Sequence, residues 1–281
     1  MVESESEGVH WRLLDRLLFL EALGRLDPRR GDPRLQKEKW VSVEKSDLSF
    51  CQWPTTVQEF REFTESRDLM DDTLWSDMPP MILKRRGQLR TAIMKQNRHP
   101  NWPVVEVGVG DAIAYCRWRT RARTDAKIVR LPTSSEWQKL MNTRSLRFPW
   151  GKASLKNGED AQVNWSGALI GHPSPVGALE AHPTGLFDLF GNIWEWGIET
   201  RVTARAKHRR FAVFGGSFSM NLIHFSGAET PWTNPPADFE VHGESTIGFR
   251  TLLTDYDVRI SSVDFSRSAS IEGEDGNTAE A

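Results

Sequence analysis

The sequence predicts an α+β domain in which the helices precede most of the strands. Apolar residues recur at helical spacing in segments before residue 141, and two of these segments begin at a capping residue. After Gly151 the chain is rich in glycine, proline, asparagine and aromatic residues, with short apolar runs at 186–190 and 211–214. Such runs, bounded by turn-forming residues, are typical of brief strands. Hydrophobic residues make up 38% of the 281, enough for a sizeable core.

The first helical segment covers residues 9–26, where apolar residues recur at Leu13, Leu14, Leu17, Leu18, Ala22 and Leu26. It ends at Asp27, because Pro28 disfavours helical backbone in the residue before it. The pattern fits a helix packed on its own domain or a docking element for a partner. The first interpretation is favoured, since amphipathic helices ordinarily face a core. Charged residues interrupt this stretch, so it is too short and too charged to span a bilayer.

The next segments predict a strand, a helix and a long loop region. Residues 40–43 alternate like a strand. Thr55 or Thr56 can cap a helix that runs through Ser66. Its apolar face carries Val57, Phe60 and Phe63. Residues 68–101 are polar and weakly periodic, and we expect long loops there.

Two more helices are predicted before residue 141. Residues 111–123 form a helix that buries Ala112, Tyr115 and Cys116 and carries arginines toward its end. Basic residues suit a helix C-terminus, so a nucleic-acid patch is the less favoured explanation. Residues 133–136 read Thr-Ser-Ser-Glu, a capping box that opens a short helix.

Composition limits the classes of function. The formal net charge of −2 provides no overall attraction to nucleic acid or anionic lipid. The two cysteines, Cys51 and Cys116, are too few for a disulfide framework. Residues 1–8 are acidic and do not lead into a hydrophobic signal core. We therefore expect a cytoplasmic protein without a membrane partner.

The chain divides into three parts by composition. Residues 1–39 hold the amphipathic helix and a charged linker, and residues 40–254 hold the dense pattern of helices and strands. Residues 255–281 turn polar, and their last ten have almost no large apolar side chain. That composition predicts a disordered tail.

A set of motifs in fixed order carries a family resemblance. The motifs are Asn-Trp-Pro-Val-Val at 101–105, Asp-Ala-Ile-Ala-Tyr-Cys-Arg-Trp at 111–118, Arg-Leu-Pro-Thr-Ser-Ser-Glu-Trp at 130–137, Phe-Pro-Trp-Gly at 148–151, Gly-Leu-Phe-Asp-Leu-Phe-Gly-Asn-Ile-Trp-Glu-Trp at 185–196, Gly-Gly-Ser-Phe at 215–218 and Ile-Gly-Phe-Arg at 247–250. Together they resemble the formylglycine-generating enzyme (sulfatase-modifying factor) superfamily. The resemblance implies a C-type-lectin-like fold with irregular loops around short strands.

The same resemblance places a catalytic cysteine pair just after the Gly-Gly-Ser segment, where it binds copper and activates oxygen. Soft thiolate ligands select Cu(I). Here Met220 and Phe225 stand at about those positions. Related sulfoxide synthases take iron from three histidines, and the N-terminal forty residues hold only His10. We therefore expect neither copper nor iron, and a divergent member without catalytic residues.

The resemblance implies a calcium site, and this sequence has residues that suit it. Asp188 and Glu195 would supply carboxylates to a structural Ca²⁺, and Gly191 and Ile193 would supply backbone carbonyls. Hard oxygen ligands on a turn suit that ion. The alternative is that Asp188 caps a turn and Glu195 hydrogen-bonds loop backbone.

The resemblance also places the binding cleft between Gly-Gly-Ser and Gly-Phe-Arg. Aromatic and small polar residues interleave there, a composition that suits an adaptable binding surface. The candidate surface consists of Met220, Asn221, His224, Phe225, Trp232, Asn234, Phe239 and His242. The alternative is that its large aromatic residues fill the loop core. A basic run at 201–210 lies beside it, and a solvated loop explains that run better than nucleic-acid binding.

These observations predict a non-catalytic recognition module for another protein or a small ligand, and the N-terminal helix is the alternative docking element. The rival interpretation is a metal-dependent oxidase or protein-modifying enzyme with a rebuilt site.

Overall fold

The computed structural model describes residues 12–26, 40–44, 46–141, 157–158, 161–199, 210–221, 232–233, 239 and 242–259. The helices are α1 (Leu13–Leu26), α2 (Val57–Glu65), α3 (Pro80–Arg86), α4 (Leu89–Met94), α5 (Val109–Arg121) and α6 (Ser134–Met141). The strands are β1 (Trp40–Ser42), β2 (Ser49–Cys51), β3 (Ile128–Arg130), β4 (Trp194–Glu199), β5 (Arg210–Phe214), β6 (Trp232–Thr233), β7 (Ile247–Phe249) and β8 (Leu252–Thr254). Within these ranges, no helix is long and apolar enough to cross a membrane.

The strands form two four-stranded sheets. The first has the order β1-β2-β8-β3 and is antiparallel throughout. The second has the order β6-β5-β4-β7, and its β4–β7 pair is parallel. A single parallel bridge between Thr133 and Ile198 joins the chain after β3 to β4. Because β7 and β8 are separated by two residues, one short segment links the sheets.

The predicted capping box at Thr133 is present, and the predicted cap at Thr56 also forms a capping box. Thr56 donates its backbone N–H to Glu59 Oε2 at 2.7 Å, and its hydroxyl accepts from the Glu59 N–H at 3.2 Å. The Thr133 N–H donates to Glu136 Oε2 at 2.8 Å in the same manner. Each box satisfies backbone donors that a helix start leaves open, so α2 and α6 begin where the sequence indicates.

The expectation of long loops over residues 68–101 is wrong. This stretch contains α3, α4 and the greater part of a 3₁₀ turn at Arg67–Met70. Helix α3 has seven residues and buries Ile82, and α4 has six and buries Leu89 and Ile93. Each of these short helices buries only one or two residues, too few for a periodic pattern to appear.

Helix α1 packs on its own domain through one side. Leu13, Leu17 and Leu20 are buried in a cluster that includes Trp137 and Trp165. On the opposite side, Leu14 is 57% and Leu18 is 56% exposed. The packing confirms the favoured interpretation, whereas the docking role of the outer side remains a prediction.

Two contacts fix α1 to the segment before α5. Asn101 Nδ2 donates to the Leu20 carbonyl at 2.7 Å. His99 Nδ1 lies 2.9 Å from Glu21 Oε1. The helix therefore adds polar contacts to its apolar ones, and its position on the domain is specific.

The main core lies between α2, α5 and the sheets. Phe60 of α2 makes an edge contact with Phe249 of β7, with ring centroids 5.8 Å apart, and Tyr115 of α5 contacts the same ring at 5.3 Å. Phe63 stacks on Trp75 at 6.3 Å. Edge and offset contacts of this kind add specificity to apolar burial.

Candidate functional site

A buried ion pair lies at the centre of the second sheet. Arg250 follows β7, and its Nε and Nη2 donate to Glu195 Oε2 and Oε1 of β4 at 2.9 and 2.8 Å. The two side chains are 0% and 1% exposed. Burial raises the pKa of the Glu195 carboxyl, and the facing guanidinium offsets part of that rise.

The same guanidinium connects three parts of the chain. Arg250 also donates to the Cys51 carbonyl at 3.0 Å and to the Phe187 carbonyl at 2.7 Å. It thereby ties β2 and the 185–190 segment to β4. A buried cation with several partners organises its surroundings, because each lost partner leaves a costly unsatisfied group.

Asp188 lies beside this pair on a tight turn. Its φ of 55° places it in the left-handed region. Its Oδ2 accepts the Gly177 N–H at 2.8 Å. Burial is the main cause that raises the pKa of Asp188 to about 6, and the nearby Glu195 charge adds to the rise.

The proposed calcium ligands can be compared with this geometry. Oxygen donors fit Ca²⁺ in kind. Both carboxylates already have partners within the chain, so an ion would compete with Arg250 at Glu195 and with the Gly177 N–H at Asp188. Among the described residues, no group of three His, Cys, Asp or Glu side chains could hold a metal. Calcium binding by Asp188, Gly191, Ile193 and Glu195 stays a prediction.

The Gly215–Gly216–Ser217 turn follows β5. Gly215 and Gly216 have φ values of 85° and 83°, which favour glycine. A Cβ on Gly215 would lie 2.7 Å from the Leu189 carbonyl oxygen, so the two motifs approach too closely for a side chain. The turn therefore sits directly on the 185–196 segment.

Met220 lies three residues beyond Ser217 and points into the core. It is 9% exposed and belongs to the cluster that contains Trp137 and Trp165. Its backbone accepts the Ser166 N–H at 3.0 Å. Met220, which the resemblance places at about the first cysteine position, is thus a packed thioether.

The rest of the predicted recognition surface is described only in part. Asn221 is exposed beside Met220. Phe239 is half-buried against the main core, and His242 is exposed with Nδ1 3.3 Å from Arg85 Nη1. Trp232 belongs to β6, where its backbone pairs with Val213. His224, Phe225 and Asn234 lie outside the described residues.

Neither cysteine replaces the missing pair. Cys51 is buried beside Trp53 and Val176, and Cys116 is buried in the main core. Burial strongly raises the pKa of the Cys116 thiol, which keeps it protonated. The two thiols belong to separate clusters, and neither is in a disulfide.

The arginines of α5 hold neighbouring loops. Arg117 donates to the Leu74 and Ser76 carbonyls at 3.0 and 2.7 Å. Arg121 pairs with Asp71 at 2.6 Å. These contacts favour a structural role over a nucleic-acid patch, in line with the favoured interpretation.

The comparison with known proteins decides the family. Residues 34–254 match the sulfatase-modifying factor enzyme 1-like domain. The chain belongs to this family. The resemblance carried by the sequence motifs is confirmed, and so is the predicted α+β, C-type-lectin-like fold of the formylglycine-generating enzymes.

Curated relatives of this sulfatase-modifying-factor-like chain include enzymes and an inactive protein. Formylglycine-generating enzymes of Thermomonospora curvata and Mycobacterium tuberculosis are 34% and 33% identical to it, over 34% and 46% of this chain and 33% and 43% of those proteins. The inactive C-alpha-formylglycine-generating enzyme 2 of Mus musculus is 35% identical over 53% of this chain and 56% of that protein. The chain thus matches about a third to just over half of these relatives' length.

Solved structures of similar architecture share little sequence with the chain. CarF aligns with a TM-score of 0.47 and 17% identity, over 75% of this chain and 87% of its own. A Treponema denticola variable protein 1 aligns with a TM-score of 0.48 and 14% identity, over 78% and 92%. At these identities the likeness says nothing about activity.

Sequence reasoning missed the part played by Arg250. The Ile-Gly-Phe-Arg motif indicated the family, but no spacing in the sequence indicates that Arg250 faces Glu195, 55 residues earlier. The parallel pairing of Glu195 with Gly248 brings them together. The sequence did contain one signal, which is that Arg250 stands within an apolar motif. A charged residue in such a motif is buried only when it is paired.

Proposed function

We propose that this chain is a non-catalytic recognition module built on a formylglycine-generating-enzyme-like scaffold. The observation that carries the proposal is the residue at the first cysteine position, where Met220 packs into the core. Phe225 occupies about the second position in the sequence. Without a thiolate pair at these two positions, the soft ligands that select Cu(I) are not supplied there.

Two further observations support a role without catalysis. The chain's two cysteines are buried, and the pKa of Cys116 is raised, so neither is a ready nucleophile. The similarity to inactive C-alpha-formylglycine-generating enzyme 2 proteins of Mus musculus and Bos taurus extends over 53% and 51% of the chain. A family that includes proteins named inactive is compatible with a pseudoenzyme.

The proposed ligand is another protein or a small molecule. Asn221 and His242 are exposed and Phe239 is half-buried along the segment between Gly216 and Ile247. The outer side of α1 offers Leu14 and Leu18 as a second apolar contact. Buried cysteines that form no disulfide suit a reducing compartment, which supports a cytoplasmic location.

The test is an activity assay with a designed control. The purified chain is incubated with a Cys-x-Pro-x-Arg peptide, copper and oxygen, and the peptide is analysed by mass spectrometry. We expect no formylglycine, whereas the Thermomonospora curvata enzyme serves as the positive control. A conversion of the peptide by the wild-type chain would refute the proposal.

Metal analysis distinguishes the proposed recognition module from the rival interpretation, a metal-dependent enzyme. A rebuilt oxidase would retain copper or iron in a one-to-one ratio after purification from metal-supplemented medium. The recognition module would retain neither. A stoichiometric redox metal would therefore favour the enzyme even if the peptide assay is negative.

A further inference from the structure

A cavity lies beside the 111–118 and 130–137 motifs, which supply part of its lining. It has a volume of about 580 Å³ and opens between α5, β3, the end of β4 and residues 257–259. Its lining includes no residue from 215–242. It is therefore separate from the proposed recognition surface, and an inference about it does not depend on the proposed function.

The cavity has an apolar interior. Its walls include Ile113 of α5, Ile128 of β3 and Ile198 of β4, and Val258 closes one side. Ile113 and Ile198 are themselves part of the main core, so the cavity continues the core to the surface. A space of this volume with mostly apolar walls is typical of small-molecule sites.

Arg117 is one of the lining residues, and its guanidinium has donors that its two hydrogen bonds to carbonyls do not use. Arg117 uses Nη1 for both of its hydrogen bonds, to the Leu74 and Ser76 carbonyls. Among the described residues, its Nε and Nη2 have no hydrogen-bond or ion-pair partner. These two groups form the side-on edge that binds a carboxylate in a bidentate manner.

The electrostatics of Arg117 favour an incoming anion. Burial lowers the pKa of Arg117, and the attraction of Asp77 and Asp257 does not offset that effect. The cation is thus partly desolvated and only weakly compensated, and a carboxylate beside it would be stabilising. By contrast, Arg130 also lines the cavity, but its guanidinium already holds Glu136 at 2.6 and 2.9 Å.

The rim limits the ligand to a single negative charge. Asp77 and Asp257 are exposed at the rim, together with one further cation, Arg259. Two carboxylates near the entrance would repel a phosphate monoester or other dianion. A monocarboxylate with an apolar body meets both requirements.

We propose that this cavity binds a small amphipathic monocarboxylate, with its carboxylate on the Nε–Nη2 edge of Arg117 and its hydrocarbon body against Ile113, Ile128 and Ile198. The apolar body supplies most of the affinity through burial, and the guanidinium selects the charged head. The cavity adds a small-molecule site to a scaffold whose cleft lies elsewhere.

The experiment compares two probes of the same length on the full chain by isothermal titration calorimetry. Decanoate is expected to bind saturably, and decanol, which lacks the charge, about tenfold or more weaker, because hydrogen bonds to charged groups are the stronger ones. Arg117→Met is expected to reduce the affinity for decanoate to about that for decanol. Arg121→Met is the matched control on the same helix, since Arg121 pairs with Asp71 away from the cavity.

A second variant covers the case in which Arg117→Met disturbs the backbone at residues 74–76. Val258→Trp fills the cavity from its half-buried side and is expected to abolish binding of both probes while thermal unfolding stays close to wild type. The proposal is wrong if decanoate does not bind the full chain saturably. It is also wrong if decanoate and decanol bind equally, or if a folded Val258→Trp variant binds decanoate as the wild type does.

Discussion

Replacing Glu195 by glutamine removes the charge that faces Arg250 and keeps the size of the side chain. Breaking a buried ion pair on one side costs about 3–5 kcal/mol, because the remaining charge is buried without compensation. Asp188 also attracts Arg250, so we expect the lower end, about 3 kcal/mol. For a domain of this size, that loss lowers the melting temperature by roughly 6–12 °C.

The assay is urea unfolding of Glu195→Gln, Arg250→Met and the combined Glu195→Gln/Arg250→Met variant. The combined variant leaves no unpaired charge, so its loss should be clearly smaller than the sum of the two single losses. It should still be less stable than wild type, because the Cys51 and Phe187 carbonyls lose their donor. The reasoning fails if Glu195→Gln costs less than about 1 kcal/mol, or if the single losses simply add.

Three further perturbations test separate parts of the structure. If calcium binds, Asp188→Ala should lower the melting temperature measured in calcium. Chelator should remove most of the difference between the variant and the wild type by destabilising the wild type, since a ligand stabilises the state it binds. A wild-type melting curve that chelator does not change would refute calcium binding. Arg130 and Tyr256 hold the pKa of Glu136 at about 2, below the ordinary 4.5, so wild-type stability should fall by about 2–3 kcal/mol as the pH drops from 4.5 toward 2. Glu136→Gln should flatten that part of a pH series of urea unfolding curves, and an unchanged slope would contradict the assignment. Leu17→Ala should cost about 2–5 kcal/mol in chemical unfolding because Leu17 is 8% exposed, whereas the exposed neighbour Leu18→Ala should change little; equal losses would contradict the packing of α1.

Local signals in the sequence were sufficient for the elements that begin with a clear cap. Helices α2 and α6 start at their capping boxes, and α5 buries Ala112, Tyr115 and Cys116 as predicted. The short helices α3 and α4 were missed, because each buries only one or two apolar residues. Periodicity needs more turns than these helices have.

The candidate site, like the helices, could be predicted from the sequence only in part. The cysteine positions could be located from the Gly-Gly-Ser motif, and their replacement by Met220 and Phe225 is a property of the sequence. That Met220 is packed in the core depends on neighbours such as Trp137 and Trp165, which are distant along the chain. Burial of a thioether depends on which surfaces meet, and spacing does not specify that.

The sequence alone determined the caps of α2 and α6, the motifs that carry the family resemblance and the presence of only two cysteines. These are properties of residue identity and of contacts within a few residues. Only the tertiary structure decided that Arg250 meets Glu195 and that Arg117 lines a cavity beside β3 and β4. Both depend on strand pairings between distant segments, whose register follows from the burial of whole faces.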